Sequence, residues 1–195
     1  NGDGLLDLFV AKGGYRSGPL CANSLYINQG KESFLDIAKA AGVADEGNGY
    51  CCAFADYDND GDPDLFVGGL NEFDKPVTRR LYRNDGNMKF TDVTETLGLA
   101  AKGYDVSCFW GDIDNDGDLD LFLANSTGKG AAVDKNYAAN TLLRNNGDGT
   151  FTDISKESGV DILTNSRGCT MGDVDNAGDL DIYVTNSMSD ALVFI

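Results

Sequence analysis

The chain alternates between short apolar runs and tight clusters of aspartate, asparagine and glycine. The runs "DLFVGG" from Asp64, "DLFLAN" from Asp120 and "DIYVTN" from Asp181 are β-type segments bounded by turn formers, and they predict strands. Within one unit the pattern predicts four: "YCCAFAD" at 50–56, "PDLFVGG" at 63–69, "RRLYRN" at 79–84 and "KFTDVT" at 89–94. Lengths of about 5–6 residues with turn signals between them suit an antiparallel meander. Helical signal is confined to "AKAAGV" and "SKESGV", enough for one turn each.

The pattern recurs. The last aspartates of its four copies are Asp7, Asp64, Asp120 and Asp181, spaced by 57, 56 and 61 residues. A second phrase begins at Leu25, Leu81 and Leu142 with spacings of 56 and 61, and Leu192 is matched to the same position at the start of a third strand. A fixed period of this length means an array of similar supersecondary units. A four-stranded sheet at this period fits a β-propeller blade. A solenoid would use shorter rungs, and an immunoglobulin-like array would use units of about 100 residues. The expected fold class is therefore all-β, a partial ring of about three and a half blades. The expected boundaries are 1–48 (a blade lacking its inner strand), 49–103, 104–164, and 165–195 (a blade lacking its outer strand). Unpaired edges and uncovered blade faces predict that further chain or other copies complete the end blades.

Between the first and second strands stand aspartate loops: "DYDNDGDPD" at 56–64, "DIDNDGDLD" at 112–120 and "DVDNAGDLD" at 173–181. Alternating aspartates followed by glycine put carboxylates on the inner rim of a tight turn, and Gly61, Gly117 and Gly178 permit the sharp bend. Numerous hard oxygen donors select calcium. In the first full loop Asp56, Asp58, Asp60 and Asp64 are candidate side-chain ligands, with Asp62 giving its carbonyl and water completing the shell. Asp112, Asp114, Asp116 and Asp120, with the Asp118 carbonyl, repeat the set. The third loop keeps Asp173, Asp175, the Asp179 carbonyl and Asp181, but Ala177 replaces one carboxylate and predicts a weaker site. The first copy is truncated to Asn1, Asp3 and Asp7. An EF-hand is excluded, since its loop needs a Glu at position twelve and flanking helices. That position here is Val67, Leu123 and Val184. Aspartate and glycine also make ordinary surface turns, but repetition favours the metal reading.

Charge agrees with the loops. The net charge is −17, which argues against nucleic acid or an anionic membrane as partner. The loops and their truncated copy hold 16 of the 32 acids, leaving 16 acids against 15 bases elsewhere. A uniformly acidic coat does not fit that distribution. No stretch approaches the roughly 18 apolar residues of a membrane span. The chain has no histidine, which excludes Ser-His or Cys-His catalysis within it and His-ligated zinc. No CxxC occurs among the five cysteines, so a zinc ribbon is not indicated. Cys52, Cys108 and Cys169 each lie four residues before a loop and share one structural position, expected to be small and buried. Cys21 and Cys51 do not share it, and a disulfide between them stays open.

The D-x-D-x-D-G-x-x-D loops and the phrase "LYRNDGNMKFTDVTETLGL" resemble the FG-GAP/VCBS repeat family of β-propellers, the type seen also in integrin α-subunit heads. The phrasing is closest to members of the cartilage acidic protein and UnbV type. "FAD", "WGD" and "MGD" stand where the family has its FG element, and "VGG", "LAN" and "VTN" where it has GAP, though neither is matched literally. The resemblance implies calcium-stabilised rings of extracellular or cell-surface proteins, and no single activity. The first functional reading is a secreted, non-catalytic module for protein or glycan binding and adhesion. Its recognition loops would be 11–24, 68–79 and 124–140, which carry Tyr15, Arg16, Phe73, Lys75, Lys129, Lys135 and Tyr137 over a rigid scaffold. The alternatives are a structural subunit of an extracellular assembly or filament, and a non-catalytic part of a secreted polysaccharide-active enzyme. Outside the metal loops there is no paired acid-base motif and no nucleophile elbow.

Overall fold

The computed structural model describes residues 1–13, 21–47, 49–69, 79–100, 104–126, 139–187 and 190–194. Nearly all regular structure is antiparallel sheet. The first sheet holds β1 (Leu8–Val10), β2 (Ser24–Asn28) and β3 (Phe34–Asp36). After a one-turn helix, α1 (Ala38–Ala41), the second sheet orders β4 (Gly49–Ala55), β5 (Asp64–Gly69), β6 (Arg80–Asn84) and β7 (Phe90–Asp92). The third repeats it with β8 (Asp105–Gly111), β9 (Asp120–Asn125), β10 (Thr141–Asn145) and β11 (Phe151–Asp153). The fourth has β12 (Ser166–Gly172), β13 (Asp181–Asn186) and β14 (Leu192–Phe194). Strands neighbouring in sequence pair in space throughout, the up-and-down meander of propeller blades. "AKAAGV" forms the single turn α1, closed by Gly42 in the left-handed region at φ 90°, whereas "SKESGV" forms only a turn.

Side chains alternate between sheet faces along a strand, and here both faces are buried. Leu65 and Val67 of β5 pack back against the first sheet, with Phe9, Leu25 and Val43. Phe66 between them packs forward, with Leu81, Leu121, Leu123 and Leu143. In β9 the same division sends Leu121 and Leu123 back and Phe122 and Ala124 forward, the latter meeting Ile182 and Val184. β5 and β9 therefore read as continuous apolar runs, because each serves two interfaces at once. Phe66 and Phe122 are fully buried, and truncating a phenylalanine in such a place costs about 3–5 kcal/mol.

Register corrects one sequence alignment. Leu25, Leu81 and Leu142 lie opposite Phe9, Phe66 and Phe122. Their counterpart opposite Tyr183 is Val193, not Leu192, which faces Val184. The pleat has period two, so a slip of one residue exchanges the faces. Leu192 and Phe194 accordingly pack back on the third sheet, while Val193 is exposed.

The cysteine expectation is also revised. Cys52, Cys108 and Cys169 do share one position, opposite Val67, Leu123 and Val184. Cys52 is nonetheless exposed, and the other two are half-buried. The face of β4 that carries Cys52 turns toward the first sheet. No disulfide joins Cys21 to Cys51, so the pairing left open between them is not formed. The proposed recognition residues of the three long loops lie outside the described residues.

A polar pin crosses two of the interfaces between sheets. The residue just before the third strand is Asn23, Arg79 or Asn140. Arg79 reaches the first residue of the next sheet, Asp105, with Nη2–Oδ1 2.8 Å and Nε–Oδ2 3.2 Å. Both side chains are almost fully buried, at 3% and 2% exposure. At the next interface Ser166 Oγ donates to Asn140 Oδ1 at 3.1 Å. Removing one partner of a buried ion pair strands the other, at a cost of about 3–5 kcal/mol. Arg79→Met should lower stability by that order in a denaturant melt. Arg79→Asn combined with Asp105→Ser, which copies the neighbouring pin, should recover most of the loss. A double variant no more stable than Arg79→Met would overturn the assignment.

Candidate metal centre

The loops joining first to second strands fold by local aspartate capping. Asp56 Oδ1 accepts the Asp60 amide at 3.0 Å and Oδ2 accepts that of Gly61 at 2.9 Å. Asp112 accepts Asp116 and Gly117 at 3.0 and 2.9 Å, and Asp173 accepts Ala177 and Gly178, both at 3.1 Å. The bend needs left-handed backbone twice. Gly61, Gly117 and Gly178 have φ of 96°, 94° and 95°. Asn59, Asn115 and Asn176 have φ of 58°, 59° and 62°, a region asparagine tolerates better than most side chains.

The closing aspartate is the anchor. Asp64 is buried, and its Oδ2 accepts Tyr57 N–H at 3.0 Å while Oδ1 accepts Asn84 N–H at 2.8 Å. Asp120 repeats this with Ile113 at 3.0 Å and Asn145 at 2.8 Å. Each carboxylate thus ties its loop to the third strand. Asn84 and Asn145 lock the same junction from the other side. Their Nδ2 groups donate to Pro63 O at 3.1 Å and Leu119 O at 3.3 Å. Their Oδ1 atoms accept Gly86 N–H at 3.1 Å and Gly147 N–H at 3.2 Å.

Three aspartates of each full loop converge. Asp56, Asp58 and Asp64 bring carboxylate oxygens within 4.8 Å of one another, and so do Asp112, Asp114 and Asp120, and Asp173, Asp175 and Asp181. Burial falls across the sets: the leading aspartate is half-buried in the first two and exposed in the third. The electrostatics are costly. Burial pushes Asp64 up to about 7 despite its two amide donors, and repulsion from Asp58 and Asp60 adds to the rise. Asp120 is pushed up to about 6 by the same causes, with Asp114 and Asp116 as the repelling neighbours. Asp58 is raised by partial desolvation and by Asp60 and Asp56. Clustered, partly desolvated oxygen donors fit a hard divalent cation.

The remaining candidates are placed differently. Asp60 and Asp116 lie on the rim, each Oδ1 accepting the amide two residues on at 2.9 Å. Ala177 has no such acceptor, and its amide is shared between Asp173 Oδ1 at 3.1 Å and Asp175 Oδ1 at 2.9 Å. The Asp118 side chain is engaged away from the cluster, where Oδ1 accepts Asn59 Nδ2 at 2.7 Å. That leaves its backbone carbonyl as the group it can offer. Asp62 and Asp179 are exposed. In the first copy Asp7 Oδ1 accepts Asn28 N–H at 2.9 Å, as its counterparts do. Among the described residues Asn1, Asp3 and Asp7 form no three-carboxylate group.

Two features escaped the sequence reading. Tyr57, second in its loop, is buried against the next sheet, stacked on Trp110 with ring centroids 6.4 Å apart. Asn145 Nδ2 holds the Tyr57 carbonyl at 2.7 Å. Consecutive loops are also joined directly, Asn59 to Asp118 as above and Asn115 Nδ2 to Gly178 O at 3.3 Å. The signal for the junction was present in "RNDG" and "RNNG", where an asparagine precedes the turn in each copy. The contacts across sheets carried none.

A family model described as FG-GAP-like repeat matches residues 1–67, 74–123 and 127–184. Cartilage acidic protein 1 of Mus musculus is 26% identical over 171 residues, which is 86% of this chain and 25% of that protein. The Homo sapiens protein of that name is 25% identical over 171 residues and the Xenopus tropicalis one 26% over 170, with the same coverage of each chain. The chain thus spans about a quarter of the length of these curated relatives. The matched segments take in every aspartate loop, and the chain belongs to the FG-GAP-like repeat family.

Proposed function

We propose that this chain is a calcium-stabilised β-propeller segment of an extracellular protein, and that it serves binding or adhesion without catalysis of its own. One observation carries the metal half: the same three-carboxylate convergence is built three times at the same place in successive sheets. A single acidic turn has many explanations, but a repeated one that raises the charge cost of its own anchor needs a counterion. In this reading Asp56, Asp58, Asp60 and Asp64 give side-chain oxygens and Asp62 its carbonyl. Asp112, Asp114, Asp116, Asp120 and the Asp118 carbonyl form the second site. Asp173, Asp175, Asp181 and the Asp179 carbonyl form the third, and Asn1, Asp3 and Asp7 belong to a fourth. Calcium would fix loops whose second residue is Tyr57 or Ile113, so its role is to hold neighbouring sheets together. No helix among the described residues is long and apolar enough to cross a membrane.

Recognition falls to the loops at 11–24, 68–79 and 124–140. They connect second to third strands and so leave the sheets at the end opposite the aspartate loops. The family and the relatives named for cartilage support an extracellular setting. Binding to arrayed matrix glycans and matrix proteins, with and without calcium, tests this half. Turnover of any polysaccharide on the array would overturn the non-catalytic assignment.

A cation that binds only the folded state stabilises it by linkage, by about 2.7 kcal/mol per site at a hundredfold excess over Kd. Excess chelator should therefore lower Tm sharply, and calcium should restore it more effectively than magnesium, which demands tighter octahedral geometry. An unchanged melt in chelator would sink the metal assignment.

The sites should fill in order. The loops at 56–64 and 112–120 have one more carboxylate than that at 173–181, and their leading aspartates are better buried. Calcium affinity follows ligand charge count. Isothermal titration should resolve two tighter sites and a weaker one, and Ala177→Asp should tighten the weaker. A third site that binds tightest, or an Ala177→Asp variant with unchanged isotherm, would contradict this order.

A further inference from the structure

The inner strands of the second and third sheets, β4 and β8, run side by side. Each inner strand carries a register shift near its start, at Gly49/Cys51, Asp105/Ser107 and Ser166/Gly168. Beyond the shift, one position faces the following sheet and the next faces the preceding one. Cys51, Ser107 and Gly168 hold the forward position. Cys52, Cys108 and Cys169 hold the backward one. At the interface of the third and fourth sheets these positions meet: Cys169 Sγ lies 3.4 Å from Ser107 Oγ, and the Cys169 amide donates to the same oxygen at 3.3 Å.

One interface earlier, the equivalent residues are Cys51 and Cys108. Here a thiol meets a thiol. Cys51 and Cys108 hold the same two register positions as Ser107 and Cys169, and Cys51 Sγ donates across the interface to Asp105 O at 3.5 Å. Gly68, paired with Cys51 across β5, clears the space. A Cβ at Gly68 would fall 2.6 Å from Cys51 Sγ and 2.7 Å from Asp105 Cβ. The sulfur is thus directed across the interface.

We infer that Cys51 and Cys108 are the site of a disulfide that cross-links the second and third sheets. The bond closes a long loop, which is where a covalent link constrains the unfolded chain most. Formation requires an oxidant, and a dithiol-disulfide exchanger of an oxidising compartment supplies it. One cysteine thiolate attacks the exchanger's disulfide and expels one of its sulfurs as a thiol. The second cysteine attacks the resulting mixed disulfide and expels the other. The Cys51–Cys108 bond forms, the exchanger's bond breaks, and two electrons and two protons pass to the exchanger. Burial and the Cys108 contact hold the Cys51 thiol well above the ordinary range. That opposes a resident thiolate and marks the bond as structural, not as a sensor. The inference does not depend on calcium.

The test is the chain refolded with oxidised glutathione, alkylated without reduction, and mapped by tandem mass spectrometry. Cys51 adjoins Cys52, so a Cys52→Ser variant is mapped in parallel. The expected result is a peptide pair linked through Cys51 and Cys108, with the protein lighter by two hydrogen atoms. Reduction should lower Tm by roughly 10 °C. Cys51→Ser recreates the Ser107 and Cys169 pair of the next interface. It should fold, lose the linkage, and melt like the reduced wild type whether or not reductant is present. Five alkylated cysteines after oxidation, or a bond through Cys21, Cys52 or Cys169, would overturn the inference. So would an oxidised Cys51→Ser variant that melts like the oxidised wild type.

Discussion

The second and third sheets each depend on a buried carboxylate held between two backbone amides. Asp64 and Asp120 close an acidic loop, start a strand that is apolar on both faces, and bind the third strand through Asn84 and Asn145. A buried carboxylate is tolerated only when its lone pairs are used. Here two amides use part of that capacity, while burial and the neighbouring Asp58 and Asp60 push Asp64 up to about 7. The scaffold and the candidate metal centre are therefore the same atoms. The loop can be neither shortened nor neutralised without releasing the strand behind it.

That sharing extends from sheet to sheet. Tyr57 stacks on Trp110 and lies tilted against Phe151, and its carbonyl is held by Asn145. Asn59 reaches Asp118, and Asn115 reaches Gly178. A loop belongs to one sheet by sequence but to two by contact. Ordering it with a cation would order the interface as well. This gives a physical reason for candidate metal loops to recur in an array in which each unit touches only its neighbours.

Much of this was legible in the sequence because the repeat is expressed twice over. The aspartate loops and the "LYRNDG" phrase keep one period, and their glycines fall where the backbone turns left-handed. Strand order and hairpin connection followed from that period. Register at the last strand did not. Leu192, Val193 and Phe194 are all apolar, so no polar residue marks which face is which, and the alignment slipped by one. The exposure of Cys52 was equally hidden, since identical positions differ only in what stands opposite. Pins such as Arg79 with Asp105 are 26 residues apart and have no repeated spelling from which to infer them.

The pins show what a repeat leaves free. Backbone hydrogen bonding and the two-faced second strand impose the same residues on every copy, because each copy solves the same packing problem. The place where the first residue of one sheet meets the residue before the third strand of another is constrained differently. It needs only a pair that satisfies itself. The chain uses a buried guanidinium and carboxylate at one interface, and an amide and hydroxyl at the next. The inner-strand position follows the same logic, with Cys51 and Cys108 at one interface where Ser107 and Cys169 stand at another. Mispairing two such interfaces would bury an unpartnered charge or separate the two thiols. Since a buried charge without its partner costs several kcal/mol, the varied pins specify which sheet follows which in an array whose apolar faces are otherwise alike.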